Sequence, residues 1–256
     1  MGKKYMPGAE PFLIKKGRTG CLLLHGFTGA THEMRELGEY LAARDITVSV
    51  PCIAGHGTRV EDLNGTRWPD WYASAKQALD ELRGLCDTVF VGGLSMGGLQ
   101  TLHLATHERD VRGFLAYAAP VYVRNWKLSL FEPLMRNTPI MKVYRYDKGI
   151  ADDIKNKDAL KVHVSYDKTP TACVISLVDY MRHVREDLPQ INAPLLIFQA
   201  KDDHTVHPGN ADVIFKEVAS QDKDLVWLTN SYHVLPVDND KQTVFEKSYE
   251  FIQNHL

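Results

Sequence analysis

Short, continuous apolar runs alternate along this chain with stretches in which apolar residues recur every three or four positions. The runs are Gly20-Cys21-Leu22-Leu23-Leu24, Ile46 to Val50, Val89 to Val91, Val111 to Ala118, Leu195 to Gln199 and Leu225 to Thr229. Between them lie helical patterns at Glu33 to Ala43, Trp71 to Leu85, Leu99 to His107, about Gly209 to Val218, and about Asp240 to Ile252. A strand that is apolar on both faces needs helices on both. The alternation therefore predicts an α/β fold with a mostly parallel, doubly wound sheet.

The alternation breaks once. Pro120 to about Pro189 holds no clear βα unit, yet it is rich in large apolar residues such as Trp126, Leu130, Phe131, Met135, Ile140, Tyr144 and Tyr146. The reading is a core built from residues 1–119 and 190–256, with 120–189 as a small helical insertion. Thr169-Pro170 resembles an N-cap and first-turn proline, opening a helix with Val174, Leu177, Val178 and Met181 on one face.

Composition narrows the possible partners. The chain has 256 residues, of which 44% are hydrophobic, ample for a packed core, and a formal charge of -2. No global field draws it to nucleic acid or to an anionic membrane. The basic start, Met1 to Gly8, is followed by no apolar core of signal-peptide length, and no apolar run approaches the ~20 residues of a membrane span. A cytoplasmic protein without stable membrane anchoring, monomeric or homodimeric, is expected. Cys21, Cys52, Cys86 and Cys173 are scattered without paired spacing and read as free thiols.

Candidate chemistry begins at Gly93-Leu94-Ser95-Met96-Gly97, between the run Thr88 to Val91 and a helical pattern. This is the G-x-S-x-G nucleophile-elbow pattern: the serine occupies a strained strand-to-helix turn, and the flanking glycines remove Cβ atoms that would collide there. Serine needs a histidine base, and the histidine needs a carboxylate to set its tautomer. In an open α/β sheet these groups collect beyond the carboxyl ends of the strands. Lys201-Asp202-Asp203-His204 follows one late strand and Asn230-Ser231-Tyr232-His233 follows the next. Asp203 is preferred to Asp202, because neighbouring side chains of an extended segment point to opposite sides and Asp203-His204-Thr205-Val206 leads into the next helix. Catalysis also needs donors for the developing oxyanion. The backbone N–H of Met96 is one; the loop His25-Gly26-Phe27-Thr28-Gly29, directly after Leu22-Leu23-Leu24, offers Phe27 N–H as the second.

With these motifs in view, the chain resembles the small bacterial carboxylesterases and monoacylglycerol lipases of the α/β-hydrolase superfamily. The resemblance rests on Leu23 to Gly29, Gly55-His56-Gly57, Gly93 to Gly98, Gln199 to Asp203 and Ser231 to Val234, and runs from Pro11 nearly to the end. It implies Ser95 as nucleophile, Asp203 as acid, His233 as base, Phe27 and Met96 as oxyanion donors, and 120–189 as a cap over the acyl pocket. The expected activity is hydrolysis of small carboxylic esters of short to medium acyl chain without a cofactor. A monoacylglycerol lipase is the runner-up, followed by a thioesterase or acyltransferase using the same triad. A silent hydrolase-fold binding protein is the non-enzymatic alternative. One departure stands out: Tyr232 occupies a position where many relatives carry glycine.

The remaining histidines read as structural. His25 and His56 shape loops near the site, and His204 and His207 are loop residues flanking Asp203. His103 and His107 have the i, i+4 spacing of a zinc pair, with Glu108 beside them, but no further ligand stands at a useful spacing and no metal is expected.

Overall fold

The structure is a computed structural model that describes residues 4–123, 138, 145–147 and 153–256. Its centre is a seven-stranded sheet. In chain order the strands are β1 (Phe12–Ile14), β2 (Thr19–Leu24), β3 (Thr47–Val50), β4 (Thr88–Leu94), β5 (Gly113–Tyr117), β8 (Leu195–Ala200) and β9 (Lys223–Leu228), with β6 (Arg145–Asp147) and β7 (Lys168–Pro170) forming a separate antiparallel pair. The sheet order is β1-β3-β2-β4-β5-β8-β9. Every neighbouring pair is parallel except β1 with β3. The mostly parallel α/β sheet expected from the alternation is thus present, in keeping with the α/β-hydrolase fold that the resemblance implied. β1 escaped the sequence pattern because three half-exposed or exposed residues on an edge leave no apolar run.

Register explains why the apolar runs are continuous. Leu23, Gly92, Leu115 and Leu196 are lateral partners across four adjacent strands. Successive side chains point to opposite faces. Leu22, Leu24, Val91, Ala116 and Ile197 join one core with the helices α3 (Trp68–Arg83) and α4 (Met96–His107). Cys21, Leu23, Phe90, Leu115 and Phe198 join the other with α1 (Arg35–Ala42) and α8 (Lys241–Asn254). None of the four cysteines is in a disulfide; Cys52 is half-buried and the others are buried.

Short helices α2 (Val60–Asn64) and α5 (Lys157–Val162) lie in connections, and α7 (Gly209–Glu217) links β8 to β9. The helix expected to open at Thr169-Pro170 is α6 (Thr171–Asp187); Thr169 and Pro170 belong to β7, and Pro170 is the extended residue before the first turn. Its buried seam matches the apolar stripe in part: Val178 and Met181 are buried as expected, Val174 and Leu177 are half-buried, and Cys173, Ser176 and Tyr180 are buried against the core as well. Ser176 Oγ accepts the Trp68 N–H at 2.9 Å, the Cys173 thiol donates to Leu63 O at 3.2 Å, and Tyr180 stacks on Trp68. Polar partners drew this face inward, which a count of apolar positions cannot foresee. Trp126, Leu130, Phe131, Leu134, Met135, Ile140, Met141 and Tyr144 of the predicted insertion lie outside the described residues. Among the described residues, no helix is long and apolar enough to cross a membrane.

Candidate active site

The carboxyl ends of β2, β4, β8 and β9 open onto one edge of the sheet, and the loops that follow carry every predicted site residue. Ser95 sits between β4 and α4 with φ +55° and ψ −113°, a conformation that non-glycine residues rarely adopt. Its N–H donates to Tyr117 O at 2.8 Å, and its carbonyl accepts the Leu99 N–H at 2.9 Å, so both sides of the turn are anchored. The flanking glycines are required by space. A Cβ on Gly97 would overlap the Leu24 carbonyl, and one on Gly93 would overlap the backbone of Gly97. The Ser95 hydroxyl makes no hydrogen bond among the described residues and is half-buried.

Two loops away, His233 and Asp203 are buried together, with His233 Nδ1 donating to Asp203 Oδ2 at 2.9 Å. Gln199 Nε2 donates to the same oxygen at 2.9 Å, while Oδ1 accepts the amides of Thr205 at 2.9 Å and Val206 at 2.7 Å. Asp202 is exposed. Burial pushes the Asp203 pKa up, but the His233 charge and hydrogen bond, with the Val206 and Gln199 donors, carry it below the ordinary value. Burial likewise pushes His233 down, and the Asp203 carboxylate, its hydrogen bond, and the charges of Asp153 and Glu33 carry it above the ordinary value. The two shifts favour the paired carboxylate and imidazolium, and in the neutral ring the bond to Asp203 holds the proton on Nδ1, which makes Nε2 the basic nitrogen.

The third element is the loop 25–29. Buried His25 ties it down: its Nδ1–H donates to Gly26 O at 2.9 Å and its Nε2 accepts the Ile53 N–H at 3.1 Å. Burial, opposed by the Gly26 hydrogen bond, pushes His25 down to about 4, so the ring stays neutral. His56 packs at its edge with Nδ1 donating to Ala54 O at 3.0 Å, and is pushed down to about 3 by burial and by His25. Thr28 holds φ +64°, completing a turn that leaves the Phe27 N–H and the Met96 N–H without an acceptor among the described residues. Met96 is the first residue of α4, where a helix leaves its amides free and its dipole favours negative charge.

Several supporting residues were not foreseen. Buried Glu33 accepts the Gly26 N–H on Oε2 at 2.8 Å, from beneath the loop. The Asp153 carbonyl accepts the His233 N–H at 3.0 Å, while its carboxylate accepts the His204 N–H and the His204 Nδ1–H, both at 2.9 Å. Asp238, fully buried, accepts amides of Lys155, Asn156 and Tyr232 at 2.8–2.9 Å. Gln199 alone stood inside a recognised motif; the acids look like solvated charges until the loops close on them. Tyr232 needs no glycine substitute, since its φ is not positive and its ring packs edge-on against His204 with centroids 4.5 Å apart. His207 Nδ1 pairs with the Tyr122 hydroxyl at 3.0 Å.

Comparison with known proteins shows the family of the chain. The model of a hydrolase family described as serine aminopeptidase S33 matches residues 15–240. A thermostable monoacylglycerol lipase of Bacillus sp. strain H-257 is 40% identical over 257 aligned residues, covering 100% of this chain and 99% of that protein. A carboxylesterase of Bacillus subtilis strain 168 is 30% identical, covering 95% and 96%. Among solved structures, one from the metagenome-derived lipolytic enzymes LipS and LipT superposes with a TM-score of 0.91 at 33% identity, covering 98% of this chain and 100% of that one. The Paleococcus ferrophilus monoacylglycerol lipase shares the fold, with a TM-score of 0.79 at 20% identity over 96% of this chain and 100% of that one. The chain belongs to this α/β-hydrolase family, as an ester hydrolase related to bacterial carboxylesterases and monoacylglycerol lipases.

Proposed function

We propose that the chain hydrolyses carboxylic esters by a covalent mechanism in which Ser95 is the nucleophile, His233 the base and Asp203 the acid. The observation that supports this most is the buried hydrogen bond from His233 Nδ1 to Asp203 Oδ2, at the same sheet edge as the strained turn of Ser95. His233 Nε2 takes the Ser95 proton as Oγ attacks the ester carbonyl. The tetrahedral oxyanion is held by the N–H groups of Phe27 and Met96, an interaction for which loss of one donor costs about 10²–10³ in turnover. Collapse expels the alcohol with the proton from His233. Water, deprotonated by the same imidazole, then releases the acid and regenerates Ser95.

The substrate we infer is a small ester of short to medium acyl chain, received between the sheet edge and a cap formed by 120–189. A monoacylglycerol is the second reading, favoured by the full-length 40% identity to a Bacillus protein of that name. Fold and triad do not set the leaving group. The test is a panel of p-nitrophenyl esters of increasing acyl length beside monoacylglycerols, run on wild type and Ser95→Ala, with fluorophosphonate labelling as the check on the nucleophile. The expected result is a preference for short to medium chains, lost in Ser95→Ala together with labelling. Activity that survives the substitution removes Ser95 from its role, and activity confined to long chains removes the substrate assignment.

A further inference from the structure

The i, i+4 pair His103 and His107 stands on the last turn of α4, at the opposite end from Ser95. Sequence spacing offered no third ligand. The fold supplies one, because α6 packs against α4 and ends beside it: Asp187 and both histidines each offer a ligand atom, and these atoms lie within 4.8 Å of one another. We propose that His103, His107 and Asp187 form a binding site for a borderline transition-metal ion such as Zn²⁺.

Each ligand is prepared differently. The buried His103 ring lies on Tyr72 with centroids 4.0 Å apart, and its Nδ1 pairs with the Tyr180 hydroxyl at 3.0 Å. That leaves Nε2 for the metal and an oxygen partner for the Nδ1–H, the arrangement that orients metal-bound histidines. Asp187 Oδ1 accepts Gln190 Nε2 at 2.7 Å, leaving Oδ2. His107 is exposed and Asp187 half-buried, so both can rotate inward. A tetrahedral zinc with ligands at about 2.0–2.2 Å holds them roughly 3.4 Å apart, so closure from 4.8 Å requires side-chain rotation only. The fourth position is left to water, and His183, with Nε2 3.8 Å from Asp187 Oδ2 and its ring 5.0 Å from His103, stands beside the group.

Backbone electrostatics favour a cation at this point. Both α4 and α6 end here, and helix C-termini carry about half a negative charge each. The site would pin α6 to a core helix. Along α4, at about 1.5 Å per residue, its two histidines lie roughly 12 and 18 Å from Ser95, so it stands apart from the ester chemistry.

The test uses the full chain, freed of metal with a chelator, then titrated with Zn²⁺ by calorimetry and with Co²⁺ by visible absorption. One equivalent is expected to bind, with Co²⁺ ligand-field bands and no thiolate charge-transfer band. Affinity should fall at least about tenfold in both His107→Ala and Asp187→Asn and be retained in His233→Ala. Saturating Zn²⁺ should raise the Tm of wild type and of His233→Ala but not of the two site variants. His107 is exposed, so its substitution leaves the fold and the metal-free ester hydrolysis intact. Absence of stoichiometric binding, equal affinity in wild type and either site variant, or loss in His233→Ala would each overturn the proposal.

Discussion

His233 Nδ1 lies 2.9 Å from Asp203 Oδ2, and the other oxygen of that carboxylate is held by two consecutive amides, Thr205 and Val206. The amides fix the carboxylate, and the carboxylate fixes the imidazole. The loop after β8 is thus a rigid arm that aims a side chain on the loop after β9, and its failure can be provoked from either end.

The adjacent acids separate the roles cleanly. Asp203→Asn removes the charge and sets an amide N–H against the His233 Nδ1–H unless the ring changes tautomer. Turnover on a p-nitrophenyl ester should fall about 10⁴-fold with little change in fold. Asp202 is exposed, so Asp202→Asn should alter stability by no more than about 0.5 kcal/mol and leave turnover close to wild type. Steady-state kinetics on both variants decide the matter, and a larger loss at Asp202 reverses the assignment.

Backbone strain at Ser95 gives a test independent of chemistry. Its φ of +55° suits glycine, whereas alanine keeps the Cβ and with it the strain. Both Ser95→Gly and Ser95→Ala should abolish ester hydrolysis. Only Ser95→Gly should gain stability, by about 1 kcal/mol, which for a chain of this size raises Tm by about 2–4 °C. Calorimetric scans of the two inactive variants compare them directly, and equal Tm values would show that the turn stores no strain.

How legible this site was in the sequence depended on what each residue must satisfy. Ser95 was legible because sterics demand Gly93 and Gly97 beside it, and Asp203 because strand alternation separates it from Asp202. The strands were legible because both their faces are covered. Glu33, Asp153 and Asp238 were not, since a buried carboxylate that collects backbone amides from a distant loop has no periodicity; Asp238 serves Lys155 and Asn156 from more than 80 positions away. The face of helix α6 was legible only in part for a related reason, since its inward seam adds Cys173, Ser176 and Tyr180 to the expected Val178 and Met181. Asp187 became a companion of His103 and His107 only through that same packing.

Close approach at Gly97 predicts a defect of another kind. The methyl group of Gly97→Ala would overlap the Leu24 carbonyl and lie 2.8 Å from His25 O, both backbone atoms that cannot rotate away. The helix must lift from β2, which also moves Met96 relative to Phe27. A loss of about 1–3 kcal/mol is expected, accompanied by a fall in turnover larger than the fall in folded fraction. Gly65→Ala is the contrast, because its Cβ would meet Asp62 O at 3.4 Å in ordinary contact and its φ is −79°. It should be neutral or stabilising by up to about 1 kcal/mol. Denaturant unfolding with kinetics on the same samples checks both.

The pH dependence carries the coupling of His233 and Asp203 into a measurable curve. The base must be neutral to accept the Ser95 proton, and its pKa is raised, so the protonated, inactive form persists to higher pH than in an ordinary histidine. The acid limb of kcat/KM should therefore have its midpoint above about 6.5. In Asp203→Asn the raising charge is gone while burial still disfavours the imidazolium, so the midpoint of the residual activity should move to lower pH. Stability follows the same pair. The raised His233 contributes stability that is full below its unfolded value and lost as pH rises through the folded value. The lowered Asp203 contributes stability present above its unfolded value and lost as pH falls through the folded one. The stabilisation of wild type over Asp203→Asn should therefore be greatest between about pH 4 and pH 6.5 and shrink on both sides. Paired Tm-against-pH and kcat/KM-against-pH series measure this. If the acid limb stays fixed when Asp203 is replaced, the titrating group is not His233.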